Sequence, residues 1–378
     1  MKGRLSLSFG TFATSLAKAQ TQEVINRIQT HYPRLTCQMH VISSPISGEE
    51  TSDEPFLACT AAEVEFLEEH LLAGEFRCIV QRAADLVLPL REGVIFAAVP
   101  ARNTPFDALL NRQGQIADEL PEDAKVGVLN LRTKSQLLTL YPHMEIEIIT
   151  GGVEAALELL LRRCQLDSLV LPAAITEHLG IQGIVTEIFF PEIMLPSCGQ
   201  GILAILAREE DKETIEILKA IHDQATFLEM EAENAFMQRF ASDQDLPISA
   251  LAQVNRRQIR VEGSICPLRG GVLNRSSQEG LARNAVQIGT DLAEKLLMSG
   301  DSVIDLLEAD FPDGLPDSDL DDVLDKDLPD ELEAVLESEL DGDLDLDLDL
   351  ELDPEDLEID LDDLPALDAD ADDPPPTG

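Results

Sequence analysis

The chain has 378 residues and a formal net charge of −46, with 27 Lys and Arg against 73 Asp and Glu. Residues 301–378 hold 33 of the acidic side chains against the single Lys326, leaving 1–300 at a net charge of −14. Negative charge on both parts argues against direct binding to DNA or RNA and makes the extreme pI a property of the tail.

In chain order, 5–9 reads as a strand, 12–29 as a helix and 35–42 as a second strand. A helix follows over 61–73, with Val64, Leu67, Leu71 and Leu72 at helical spacing and Gly74 in the stop position. Short apolar runs at 76–80, 94–99, 125–129, 145–149 and 168–171 read as strands, with helices starting near Thr133 and Val153. This alternation predicts α/β lobes with largely parallel sheets. Further on, 212–240 reads as one long helix, 250–254 and 259–265 as strands, and 277–299 as a last helix with Leu281, Ala285, Ile288, Leu292 and Leu296 on one face.

From 306 the composition changes in kind. Leu344, Leu346, Leu348, Leu350 and Leu352 alternate strictly with carboxylates. An extended strand would set like charges about 7 Å apart, inside a Debye length of about 8 Å, so a disordered acidic tail over 306–378 is expected. Its Leu/Asp alternation also suits a basic protein partner.

Lys2 and Arg4 precede a mildly apolar stretch, but Ser6, Ser8, Thr11, Thr14 and Ser15 interrupt it too often for a signal peptide. No apolar run of about 18 residues exists, so no membrane span is expected. The cysteines Cys37, Cys59, Cys78, Cys164, Cys198 and Cys266 include no CxxC pair. That spacing argues against a metal site or disulfide framework, and a cytoplasmic location is the default.

Seven motifs follow one another along the chain. They are G-T-F-A-T-S-L-A-K-A-Q from Gly10, I-V-Q-R-A-A-D-L-V from Ile79, R-N-T-P-F-D-A from Arg102, G-V-L-N-L-R-T-K from Gly127, T-G-G-V-E-A-A from Thr150, L-P-S-C-G-Q-G from Leu195 and R-F-A-S-D-Q-D-L-P-I from Arg239. In this order they resemble the signature segments of the hydroxymethylbilane synthase, or porphobilinogen deaminase, family. The heptad at 195–201, similar to LPAxGQG, is the most specific.

The resemblance covers about residues 3–305. It implies a three-domain α/β architecture: two lobes like those of periplasmic binding proteins, a small α+β C-terminal domain, and then the tail. The implied boundaries are 1–100 with about 198–218 for the first lobe, 101–197 for the second, and 219–305 for the third domain. The implied activity is a transferase reaction of tetrapyrrole biosynthesis, joining four porphobilinogens with loss of ammonia on a covalent dipyrromethane cofactor.

Carried over position by position, the resemblance implies a catalytic role for Asp85 and substrate binding by Arg132, with Thr14 as a further hydrogen-bonding candidate. Thr14 suits helix capping equally, and Asp85 at a strand end suits a turn. Phe12, Thr133, Thr150, Ala156 and His178 stand where the family has arginine, Ala84 where it has lysine, and Gln81 where it has histidine. Gln244 occupies the position of the cysteine that carries the cofactor, so no cofactor is expected.

The expected ligand is porphobilinogen or a linear tetrapyrrole, the expected state a monomer, and the expected activity impaired. The alternatives are a divergent active synthase and a protein that acts through its tail.

Overall fold

The computed structural model describes residues 6–43, 61–86, 88–240, 247–268, 270–271 and 273–298. The first lobe opens with β1 (Ser6–Phe12), α1 (Ser15–His31), β2 (Thr36–Ile42), α2 (Ala61–Leu72), β3 (Cys78–Arg82) and β4 (Val94–Ala98). The chain then builds the second lobe from β5 (Asp107–Asn111), β6 (Lys125–Val128), α3 (Leu131–Leu140), β7 (Glu145–Ile148), α4 (Gly152–Leu161), β8 (Ser168–Pro172), α5 (Ala173–Leu179) and β9 (Val185–Phe189). It returns to the first lobe as β10 (Leu203–Arg208).

The first sheet has the order β2-β1-β3-β10-β4 and the second β7-β6-β8-β5-β9. In each, three parallel strands meet one inserted strand, β10 or β5, that runs antiparallel to both neighbours. The sheets are therefore mixed, not largely parallel as the alternation alone predicted. The antiparallel strands are those adjoining the crossovers, where the chain arrives from the other lobe.

Side-chain alternation along β10 shows how the first sheet is buried on both faces. Leu203, Ile205 and Ala207 join Leu7 and Phe9 against Val24, Ile25 and Ile28 of α1. Ala204 and Leu206 face the other way, in the cluster that holds Ile79, Phe76 and Leu67 and Leu71 of α2. Each such Leu, Ile or Phe contributes roughly 1.5–3 kcal/mol on burial. Helix starts are fixed locally: Asn130, Asp211 and Asp223 accept from the backbone N–H three residues on, at the starts of α3, α6 (Lys212–Leu218) and α7 (Gln224–Gln238).

A third unit follows as an antiparallel meander of β11 (Ile248–Asn255), β12 (Gln258–Ile265) and β13 (Asn274–Leu281), covered by α7 and α8 (Ala285–Met298). Three expectations are corrected here. The single helix over 212–240 is broken at His222, because Asp223 caps a fresh helix. The segment 277–281 is strand, paired with β12, and only from Ala285 does the helical periodicity hold. Phe12 likewise ends a strand instead of opening a helix. Gln244 and the acidic tail lie outside the described residues.

Candidate functional site at the crossover between the lobes

Two chain segments join the lobes, 99–106 outbound and 190–202 on the return. They lie side by side, with Asn103 N–H donating to Gly201 O at 2.9 Å. The two glycines of the 195–201 motif make this approach possible. Gly199 has φ +72°, and a Cβ there would stand 2.7 Å from the backbone of Ala83 and Ala84. Gly201 has φ +79°, and its Cβ would meet Asn103 O at 2.8 Å. A side chain at Gly201 would push the two segments apart, and one at Gly199 would push the return segment off the turn at Ala83 and Ala84, so both positions need glycine.

Polar groups around this point are densely paired. Glu233 of α7 is fully buried and accepts from both Nη atoms of Arg102, at 2.6 and 3.2 Å, from Gly199 N–H at 2.6 Å and from Ala252 N–H at 2.7 Å. One carboxylate thus ties the outbound segment, the return segment and β11 together. Arg102 Nε also donates to Gln200 O at 2.9 Å, while Gln200 Nε2 donates to Pro105 O at 2.7 Å and Asp107 Oδ1 at 3.2 Å. Gln136 of α3 brackets Leu195, donating to its O and accepting from its N, both at 2.9 Å, and donates to Ser249 Oγ at 2.8 Å.

Asp85 sits in the 3-10 turn after β3, buried against this junction, where Ala83 N–H donates to Ile202 O at 2.9 Å. Arg82 Nε donates to its Oδ2 at 2.5 Å. Arg132 is 3% exposed, and its guanidinium faces inward. It donates to Leu195 O at 2.9 Å, Asp107 Oδ1 at 3.0 Å and Thr133 Oγ1 at 2.7 Å. Thr14 is exposed and caps α1, accepting from Ala17 N–H at 3.2 Å. The fold therefore brings Asp85 and Arg132 to the two sides of the crossover, and Thr14 caps α1.

The substituted positions are also placed. Phe12 is buried in the cluster holding Phe76 and Ile79, and Ala156 is fully buried in the second-lobe core. Thr133 donates from both N and Oγ1 to Asn130 Oδ1 at 2.7 Å, Thr150 is exposed before α4, and His178 Nε2 is 2.6 Å from Glu23 Oε2. Gln81 is buried with neither amide atom partnered. Burial, together with the charge of Glu233, pushes the Cys198 thiol up, and Cys266 is buried with Thr139 Oγ1 3.4 Å from its sulfur. Both thiols are thus packed, unlike exposed low-pKa nucleophiles.

Comparison with known proteins bears directly on this arrangement. Residues 7–216, which include both lobes and both crossovers, match the family model described as porphobilinogen deaminase, dipyromethane cofactor binding domain. The chain belongs to the porphobilinogen deaminase family. A porphobilinogen deaminase of Roseiflexus sp. (strain RS-1) is 34% identical over 297 residues, 78% of this chain and 97% of that protein. That of Syntrophus aciditrophicus (strain SB) is 33% identical over 300 residues, 79% and 97% of the two chains. Among solved structures, the methionine binding protein MetQ covers 59% of this chain and 92% of its own, at a TM-score of 0.37 and 13% identity, too low to support an argument.

Within this porphobilinogen deaminase scaffold, sequence reasoning missed Glu23, Glu233 and Gln136 as organising residues. Each sits on a helix among other polar residues, and its partners come from distant segments. Arg102, Asn103, Asp107 and Gln200 carried a readable signal, being part of recognised motifs. Among the described residues, no group of three or more His, Cys, Asp and Glu is arranged to hold a metal ion, and no helix is long and apolar enough to cross a membrane.

Proposed function

We propose that this chain retains the porphobilinogen deaminase scaffold without ordinary hydroxymethylbilane synthesis. The observation that carries this reading is the fate of the positions where the family resemblance implies arginine. Phe12 and Ala156 are core residues, Thr133 bonds to Asn130, Thr150 is neutral, and His178 is taken up by Glu23. The retained Arg132 gives both Nη atoms to Asp107, Leu195 and Thr133, and only its buried Nε is without a partner.

Porphobilinogen carries acetate and propionate groups, which arginine forks bind by bidentate, charge-assisted hydrogen bonds. Each such bond is worth about 1.5–3 kcal/mol. Five losses exceed about 7 kcal/mol if independent, or about five orders of magnitude in binding or rate. The amide at Gln244 is no sulfur nucleophile, and the packed thiols of Cys198 and Cys266 are poor substitutes for an attachment cysteine. On this reading neither Gln244 in the sequence nor the packed thiols of Cys198 and Cys266 offers the covalent dipyrromethane an attachment point.

A second reading, a divergent active synthase, draws on Asp85, buried where a carboxylate would steady cationic pyrrole intermediates. Against it, Arg82 already balances that charge at 2.5 Å, at a position where the family motif has serine. Intact-protein mass spectrometry after incubation with porphobilinogen or preformed hydroxymethylbilane, alongside a porphobilinogen-consumption assay, separates the two. No adduct and no consumption by folded protein is the expected result. A covalent dipyrrole adduct with substrate loss would establish the divergent enzyme instead.

A further inference from the structure

Glu23 of α1, in the first lobe, gathers partners from two other segments. Its Oε2 is 2.6 Å from Nε2 of His178 in α5, in the second lobe. Asn103 Nδ2, in the outbound crossover, donates to both carboxylate oxygens at 3.3 and 3.2 Å. Arg27, one turn along α1, pairs with Oε1 at 2.5 Å and also donates to Ala101 O at 2.8 Å and Asn103 Oδ1 at 2.7 Å. Beside them Thr104 Oγ1 donates to Glu177 Oε1 of α5 at 2.6 Å.

An exposed ion pair contributes only about 0–1 kcal/mol, but this one is not exposed. The His178 side chain is 4% exposed, and Glu23 is only a quarter exposed. Burial works to raise the Glu23 carboxyl, yet the hydrogen bond from His178, the charges of Arg27 and His178 and the Asn103 amide outweigh it and hold the group at about 2. Its partners come from α1, the crossover and α5, so the contact spans the junction about which the lobes would move.

We propose that Glu23 is an internal carboxylate for His178, and that the two, with Arg27 and Asn103, latch the first lobe to the second beside the crossover. The latch rests on the geometry alone. Its further consequence, that Glu23 occupies a place where the family would read a ligand carboxylate, rests on the function proposed above. A tethered carboxylate acts at a high effective concentration, so a free one competes poorly for the same imidazole.

Hydrogen exchange by mass spectrometry on the full chain tests this, comparing wild type with Glu23→Gln, His178→Gln and the double variant. The expected result is roughly tenfold faster exchange at 99–106 and in α5 in each single variant, with no further increase in the double variant and the sheets of both lobes still protected. Unchanged exchange at the crossover, effects that add in the double variant, or uniform acceleration through both sheets would each overturn the latch. Synthase turnover by the wild-type chain would defeat the proposed function while leaving this result intact.

Discussion

Glu233 and Gln81 are both buried polar side chains, and they sit in opposite surroundings. Glu233 accepts from Arg102, Gly199 and Ala252, so its charge is compensated by a guanidinium and two backbone N–H groups. Gln81, at a position where the family resemblance implies histidine, has neither amide atom partnered. Most polar atoms at the crossover are paired, Arg132 Nε being an exception; most of the positions implied to read the ligand are packed or bonded to other protein groups. A scaffold and the chemistry built on it are thus held by different residues, and on the function proposed above the first persists without the second.

Breaking the crossover side of this contrast is expected to cost most. Glu233→Ala takes the hydrogen-bonded carboxylate from the buried Arg102 guanidinium, leaving only Glu229 at 3.8 Å, and should destabilise the fold by about 3 kcal/mol, read from the midpoint of urea unfolding. Gly199→Ala strains a backbone at φ +72° and presses a methyl into Ala83 and Ala84, for an expected loss of about 1–3 kcal/mol by the same measurement.

Thr14→Ala removes only the α1 cap, about 1 kcal/mol. Binding of porphobilinogen, measured by calorimetry, should not change with it; a change would return Thr14 to the site.

A last effect is confined to acid. Glu23 is held at about 2, below the usual carboxylate value of 4.5, so its contribution is complete above about 4.5 and is lost as pH falls towards 2. Stability measured from pH 5 to 2 should fall less steeply in Glu23→Gln than in wild type.

Much of the fold is legible in the sequence because it rests on local patterns. The helix over 61–73 and the strand over 35–42 differ from α2 and β2 by a residue at one end. What escapes has a physical reason. β13 is an edge strand with only partly buried polar residues and none of the apolar alternation that marks a strand, while the helical spacing of α8 extends backwards to Leu281. β5 hides its type as well, since all five of its residues are buried and it reads as neither period.

The site was half legible. The glycine motif and Asp85 announce a junction, but nothing near Arg132 in the sequence says that Asp107 will claim its guanidinium. Nor does anything near His178 point to Glu23.

The position of β10 also sets an order of events during synthesis. It lies between β3 and β4, so the first sheet lacks an inner strand until the chain has passed Arg208, by which time every strand of the second sheet has been made. The second lobe is encoded without interruption and is free to fold first as the chain emerges. The first begins translation earlier and finishes folding later, holding the apolar edges of β3 and β4 open in the interval. That interval leaves two strand edges unpaired, the state in which a chain of this topology is most open to misassociation.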